Sequence, residues 1–222
     1  MRFLLMDTCG TEGSVALADT QLAGVIAAEE VLPGRTASER LVPAVRRVLE
    51  SCGWRLGDLA AVVVVHGPGS FTGVRVGLSA AKGLSEAGEV PLIAVSRLAV
   101  LAACGGDGAG HGVVHAVLDA GRGEFYYGKY RGRECLREAL LTAEEVAEAA
   151  AGGTVVVCEI KVAEALAALG PRVVAEPGAK DILPFAVERE AARDLNDAAL
   201  LDANYLRRTD AEIFAKPKSM AR

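Results

Sequence analysis

An oxyanion or a phosphate could be held by the run Gly67-Pro68-Gly69-Ser70-Phe71-Thr72-Gly73-Val74-Arg75-Val76-Gly77, in which four glycines and two hydroxyls follow an apolar stretch. Three catalytic uses of such a turn fail on spacing. A Walker loop places Lys-Ser/Thr directly after its last glycine so that an ammonium and a metal-bound hydroxyl reach the phosphates; here Gly73 is followed by Val74. A dinucleotide fingerprint needs its third glycine at position 72, where Thr72 stands. An esterase elbow centred on Ser70 needs glycines where Pro68 and Thr72 are found. Two uses remain. One is a tight strand-to-helix turn capped by Ser70 or Thr72, with glycine supplying positive φ and Pro68 fixing one φ. The other is an anion held by free N–H groups at the helix start.

The histidines offer less. His111 and His115 have a spacing that makes neighbours on a helix, but His115 lies in a strand pattern, where four residues span ~13 Å. Two nitrogens that must each sit within ~2.1 Å of one zinc ion cannot both reach it across that span, so no metal is expected there. His66 stands alone beside the glycine turn and is expected to be packed or hydrogen-bonded. No Ser-His-Asp or Cys-His arrangement emerges from three scattered histidines, which weakens a peptidase reading. Cys9, Cys52, Cys104, Cys135 and Cys158 are odd in number and form no Cys-x-x-Cys pair, which reads as free thiols in a reducing cytoplasm.

The elements that must position these groups follow from periodicity. Strands over 2–7, 14–18 and 24–31 make a β-meander. A helix over 38–52 shows Leu41, Val45, Val48, Leu49 and Cys52 on one face, with Pro43 inside it predicting a kink or a late first turn. Strand 61–66, helix 72–87, strand 91–95 and helix 97–104 follow, and Gly105 to Gly110 reads as a linker. The order then restarts with strands 113–120, 124–131 and 137–141, helix 143–151 and strand 154–158. The tail is expected as helix 162–169, strand 172–176 and helical stretches to about Tyr205. The first strand of each half ends in aspartate, Asp7 and Asp119, which suggests an internal duplication with halves at 1–106 and 111–222.

At 222 residues the chain buries roughly 70% of its unfolded surface. Apolar residues are 51% and aromatics 5%, so the expected core is Val, Leu and Ala between sheets and helices in an α/β protein. A net charge of -5 argues against a chain that grips RNA unaided. The N-terminal apolar run is too short for a signal peptide and no segment reaches the ~18 residues of a membrane span, so a soluble cytoplasmic protein is expected.

The run Gly67 to Gly77, with Ala80-Ala81-Lys82-Gly83-Leu84 behind it, resembles the signature of the bacterial TsaB (YeaZ) family. Asp119-Ala120-Gly121-Arg122-Gly123-Glu124-Phe125-Tyr126 is similar to that family's Asp-Ala-Arg-x-Gly-Glu-Val/Ile-Tyr element, and Tyr205-Leu206-Arg207 to its C-terminal Tyr-Leu-Arg. Together these markers span nearly the whole chain. One departure is that many members carry His-Ser where Ala37-Ser38 or its neighbours stand here. The resemblance implies a duplicated actin-like, Hsp70-like (ASKHA, RNase H-like) fold with two mixed sheets flanked by helices. In that superfamily the two strand-end aspartates flank Mg-ATP; the competing reading of Asp7 and Asp119 is that each caps its turn by accepting local N–H bonds. The adenosine loop would follow strand 154–158, where Cys158-Glu159-Ile160 is bulky and acidic, so nucleotide binding there is not expected.

The family further implies a non-catalytic scaffold for threonylcarbamoyl transfer to the adenosine beside the anticodon of ANN-decoding tRNAs. Its partners would be a TsaD-like transferase and a TsaE-like ATPase, with a homodimer when alone and tRNA met only through the complex. No cofactor is expected on this chain, ATP, magnesium and a metal belonging to the partners. Pairing would use helices 38–52 and 72–87, with Val42, Arg46, Gly73, Val76, Gly77 and Ala80 as contacts. Gly77→Arg is expected to block pairing and spare the fold. The alternative is an independent actin-like ATPase or small-molecule kinase using Asp7 and Asp119.

Overall fold

The computed structural model describes residues 1–22, 25–34, 36–106 and 112–207. Gly24, Arg35, His111, positions 107–110 of the expected linker and positions 208–222 of the expected second half lie outside the described residues.

Strands β1 (Arg2–Asp7), β2 (Gly13–Asp19) and β3 (Val25–Leu32) form the expected antiparallel meander. Helix α1 (Ala37–Cys52) leads to β4 (Ala61–Val65), and α2 (Phe71–Gly88) to β5 (Leu92–Val95). Both later strands run parallel to β1, and the sheet order is β3-β2-β1-β4-β5. After α3 (Arg97–Gly105) come β6 (Val113–Gly121), β7 (Glu124–Arg131), β8 (Glu134–Thr142), α4 (Ala143–Ala149), β9 (Thr154–Val157), α5 (Ile160–Ala165) and β10 (Arg172–Val173). Their order, β8-β7-β6-β9-β10, repeats the first sheet, so the duplication read from the two strand-end aspartates is real.

Strands β1 and β4 are apolar at nearly every position because both faces of the first sheet are covered. Leu4, Met6, Val62 and Val64 pack with α1 and α2 through Leu41, Val45, Val48, Leu78 and Ala81. Phe3, Leu5, Val63 and Val65 point the other way, as the two-residue strand period requires. Helix α1 begins at Ala37 and runs through Pro43 without the expected late start. Pro43 and Glu39 are both on the exposed face, where water can serve the carbonyl that the proline leaves without its helical donor. Helix α3 lies between the sheets: Val100 joins the first core, and Leu98, Leu101 and Ala102 pack with Ala116, Leu118 and Val156 of the second.

The tail departs from the expected division at 111–222. A 3-10 turn at Ala179–Ile182 and helix α6 (Leu183–Ala191) return to the first sheet, burying Ile182, Phe185 and Ala186 against Phe3 and Leu5. Helix ends at Ala191, not near Tyr205, and residues 192–206 continue as a strap without helix, with Asn196 bridging to Leu92. Among the described residues no helix is long and apolar enough to cross a membrane.

Candidate functional site in the cleft between the halves

The glycine turn lies flat on the exit of β1. The Ser70 N–H donates to the Cys9 carbonyl at 2.9 Å, and the Thr8 hydroxyl donates to the Gly73 carbonyl at 2.7 Å. A Cβ on Gly69 would sit 2.4 Å from the Cys9 carbonyl oxygen, on Gly73 1.9 Å from the Thr8 carbonyl oxygen, and on Gly77 2.3 Å from the Thr8 hydroxyl. Positions 69, 73 and 77 thus form one inward stripe that lets the helix touch the strand exit. Ser70 caps α2, accepting the Gly73 N–H at 3.3 Å, as the turn reading expects of one of its two hydroxyls. His66 is hydrogen-bonded, its Nδ1–H donating to the Asp202 carbonyl at 3.2 Å, and burial holds its pKa below the usual range.

Both strand-end aspartates cap their own turns. Asp7 is 2% exposed and its Oδ1 accepts the Cys9 N–H at 2.8 Å. Burial pushes its carboxyl upward, opposed by the charge of Arg97 and by that N–H. Arg97 is itself buried, donates to the Cys9 carbonyl at 3.3 Å and pairs with Glu176. Asp119 Oδ1 accepts the Gly121 N–H at 2.9 Å, and Lys161 Nζ lies 2.5 Å from its Oδ2, a contact that holds the carboxyl below the usual range. Glu159, at the exit of β9, folds back to accept the Asp119 N–H at 3.0 Å. The Mg-ATP corner of an actin-like fold would need carboxylates open to a hydrated cation and a small strand exit. Here one carboxylate is buried, the other is neutralised by lysine, and the exit holds a glutamate. These residues do not fit that group.

Three motifs far apart in sequence meet elsewhere in the cleft. A cavity of about 510 Å³ is lined by Pro68, Gly69 and Phe71 of the glycine turn, by Gly121, Arg122 and Tyr126 of the β6–β7 hairpin, and by Tyr205 and Arg207 of the strap. Arg75 stacks over the Phe71 ring at 3.5 Å from its centroid and donates from Nε to the Tyr205 hydroxyl at 2.8 Å. Arg207 donates to the carbonyls of Ala120 and Gly121 at 3.0 and 3.1 Å and pairs with Glu124 at 2.8 Å. Asn204 ties the strap to both halves: its N–H donates to the His66 carbonyl at 2.8 Å, and its amide to Glu138 at 2.6 Å. The sequence marks each motif separately; their meeting depends on the returning strap, which no local pattern reveals.

The six expected contacts divide. Val42 is 57% exposed, and Arg46, on the same face of α1, reaches solvent while pairing with Glu50 at 2.6 Å. Val76 and Ala80 are half-buried along the α1–α2 seam. Gly73 and Gly77 face β1 instead, so they cannot touch a partner, and Gly77→Arg would drive a side chain into Thr8 and damage the fold it was expected to spare. Among the described residues no cluster of three His, Cys, Asp or Glu could hold a metal. His115 is buried within the second half, its Nδ1 2.7 Å from the Tyr127 hydroxyl.

Two repeated mixed sheets with helices on their faces and a cleft between them define the duplicated actin-like (ASKHA) class. Residues 29–153 match the family model described as TsaD, tRNA N6-adenosine threonylcarbamoyltransferase. The tRNA threonylcarbamoyladenosine biosynthesis protein TsaB of Escherichia coli K12 is 38% identical over 131 residues, 59% of this chain and 55% of that protein. TsaB of Bacillus subtilis 168 is 36% identical over 148 residues, 66% of this chain and 62% of that one. The chain therefore spans little more than half the length of these curated relatives. YeaZ from Pseudomonas aeruginosa superposes with a TM-score of 0.74 at 32% identity, over 92% of this chain and 99% of that structure. The chain belongs to the TsaB (YeaZ) family.

Proposed function

We propose that this chain is a non-catalytic scaffold subunit in the synthesis of threonylcarbamoyladenosine in tRNA. It works in the cytoplasm with a TsaD-like transferase and a TsaE-like ATPase, for transfer to the adenosine beside the anticodon of ANN-decoding tRNAs. The observation that carries this reading is the corner around Asp119, where Lys161 and Glu159 take up the groups a nucleotide and its metal would need. The relatives' names supply the pathway.

The pairing surface is the exposed face of α1, with Val42 and Arg46, and the adjoining edge of α2, with Val76 and Ala80; on α2 a Cβ at Gly83 would meet only open space. The same face serves a homodimer when the transferase is absent, so the two assemblies compete. Light scattering on the full chain mixed with the TsaD-like transferase of its own organism tests this. A stable complex at the expense of the homodimer supports the reading, and separate species at all concentrations contradict it. Val42→Glu, at a position already open to solvent, is expected to abolish both assemblies without lowering the melting temperature.

A further inference from the structure

Glu176 stands on the segment that returns from β10 to the first sheet, and its carboxylate is held at the β1–β2 turn by three donors. The Thr11 N–H donates to Oε1 at 3.0 Å, the Thr11 hydroxyl donates to Oε2, and Arg97 donates from Nη2 to Oε1. The segment is pinned on either side of it: the Val174 N–H donates to the Val157 carbonyl at 2.9 Å, and the Ala179 N–H to the Ser14 hydroxyl at 2.8 Å. Gly10 makes the room. A Cβ there would collide with Glu176 Oε1 and come within 2.9 Å of Arg97 Nη2.

The Arg97 guanidinium is only half used on this side. Nε and Nη2 form one edge of its rigid fork, which matches two oxygens of a carboxylate or a phosphate. Glu176 takes Nη2, while Nε is buried with no hydrogen-bond partner among the described residues, on a side chain only 5% exposed. A backbone N–H, a hydroxyl and a guanidinium edge with a spare donor are the parts of an oxyanion seat. Charge limits what it can take. Asp7, buried behind it, shares the Arg97 charge, and Glu12 and Glu29 line the adjoining pocket with Glu176. A monoanion therefore matches the charge that Glu176 brings, and a dianion exceeds it. The Glu176 side chain is 31% exposed, so the seat is reached from solvent.

We propose that Thr11 and Arg97 form a seat for a monovalent oxyanion, which the chain fills with its own Glu176 and which an external carboxylate or phosphate monoanion takes once Glu176 is withdrawn. The seat requires neither a metal nor a nucleoside, so the misfit of Mg-ATP at the strand ends does not bear on it. It is independent of the scaffold function proposed above.

Glu176→Ala in the full chain empties the seat. Melting temperature and calorimetric titration are followed with acetate and with inorganic phosphate, at constant ionic strength, with chloride as the control and at a pH where phosphate is largely monoanionic. The proposal expects saturable binding of acetate or phosphate by the variant, with a rise in its melting temperature that chloride does not give. Binding should be at least tenfold weaker in the wild-type chain, where Glu176 competes. It should also be at least fivefold weaker in Thr11→Val/Glu176→Ala, which loses the hydroxyl at an exposed position but keeps the N–H. Acetate bound without phosphate assigns a carboxylate ligand, and phosphate bound without acetate assigns a phosphoryl group. No saturable binding by the folded variant, equal binding by the wild-type chain, or binding unchanged by Thr11→Val overturns the proposal and leaves Glu176 as a structural ion pair. Should Glu176→Ala prove unfolded, it and Glu176→Gln are scored by refolding: recovery in acetate or phosphate but not in chloride supports the seat, and recovery in none of them overturns it.

Discussion

The hydroxyl of Thr8 and the carbonyl of Gly73 are joined by a 2.7 Å hydrogen bond that fixes helix α2 to the exit of β1. That bond forms only because Gly73 has no side chain: a Cβ there would lie 1.9 Å from the Thr8 carbonyl oxygen. Gly73→Ala is therefore expected to destabilise the chain by ~2 kcal/mol or more, as overpacking of a closed core does. Gly83 is on the same helix with open space around its would-be Cβ, so Gly83→Ala is expected to stabilise by ~0.5–1 kcal/mol through helix propensity. Urea melts of the two variants should move in opposite directions. Movement in the same direction would refute the inward orientation of the stripe.

Much of this architecture was legible in the sequence. The meander-helix-strand order of each half follows from apolar periodicity and turn residues, and Asp7 and Asp119 mark equivalent strand ends. What was not legible involves partners distant along the chain. A glycine stripe at positions 69, 73 and 77 reveals a close approach, but spacing cannot say whether a partner helix or Thr8 is being approached. Phe185 has the spacing of a core residue without any sign that its core contains Phe3. For the same reason Phe71, Tyr126 and Tyr205 read as separate family markers, although the strap brings them to one cavity.

Arg97 is expected to matter for stability out of proportion to its single pairing. Its side chain is 5% exposed, near buried Asp7, and pairs with Glu176. Arg97→Leu strands the Asp7 charge in the core and is expected to cost ~3 kcal/mol, as removal of one member of a buried pair does. Adding Asp7→Asn, which can still accept the Cys9 N–H, should recover part of that loss. A single variant as stable as the parent would contradict the electrostatic role.

Stability should fall on mild acidification. Burial holds the pKa values of His66 and His115 below the usual 6.5. Each is therefore neutral in the fold but takes up a proton more readily when unfolded. Their contribution is complete above the unfolded value and is lost progressively as pH drops below it toward the folded values. Melting temperature measured from pH 7.5 to 5 should decline, and less steeply in His115→Leu, which has no imidazole to protonate. An identical slope in that variant would rule out His115 as a source.

The most direct measurement of the central claim is tRNA threonylcarbamoylation reconstituted with the TsaD-like transferase, the TsaE-like ATPase, ATP, magnesium and the threonylcarbamoyl donor. Transfer should require this chain, persist with Asp119→Asn, and fail with a folded Val42→Glu. Transfer lost in Asp119→Asn while Val42→Glu stays active would contradict the account, because it would put the chemistry in this cleft and remove it from the helix face.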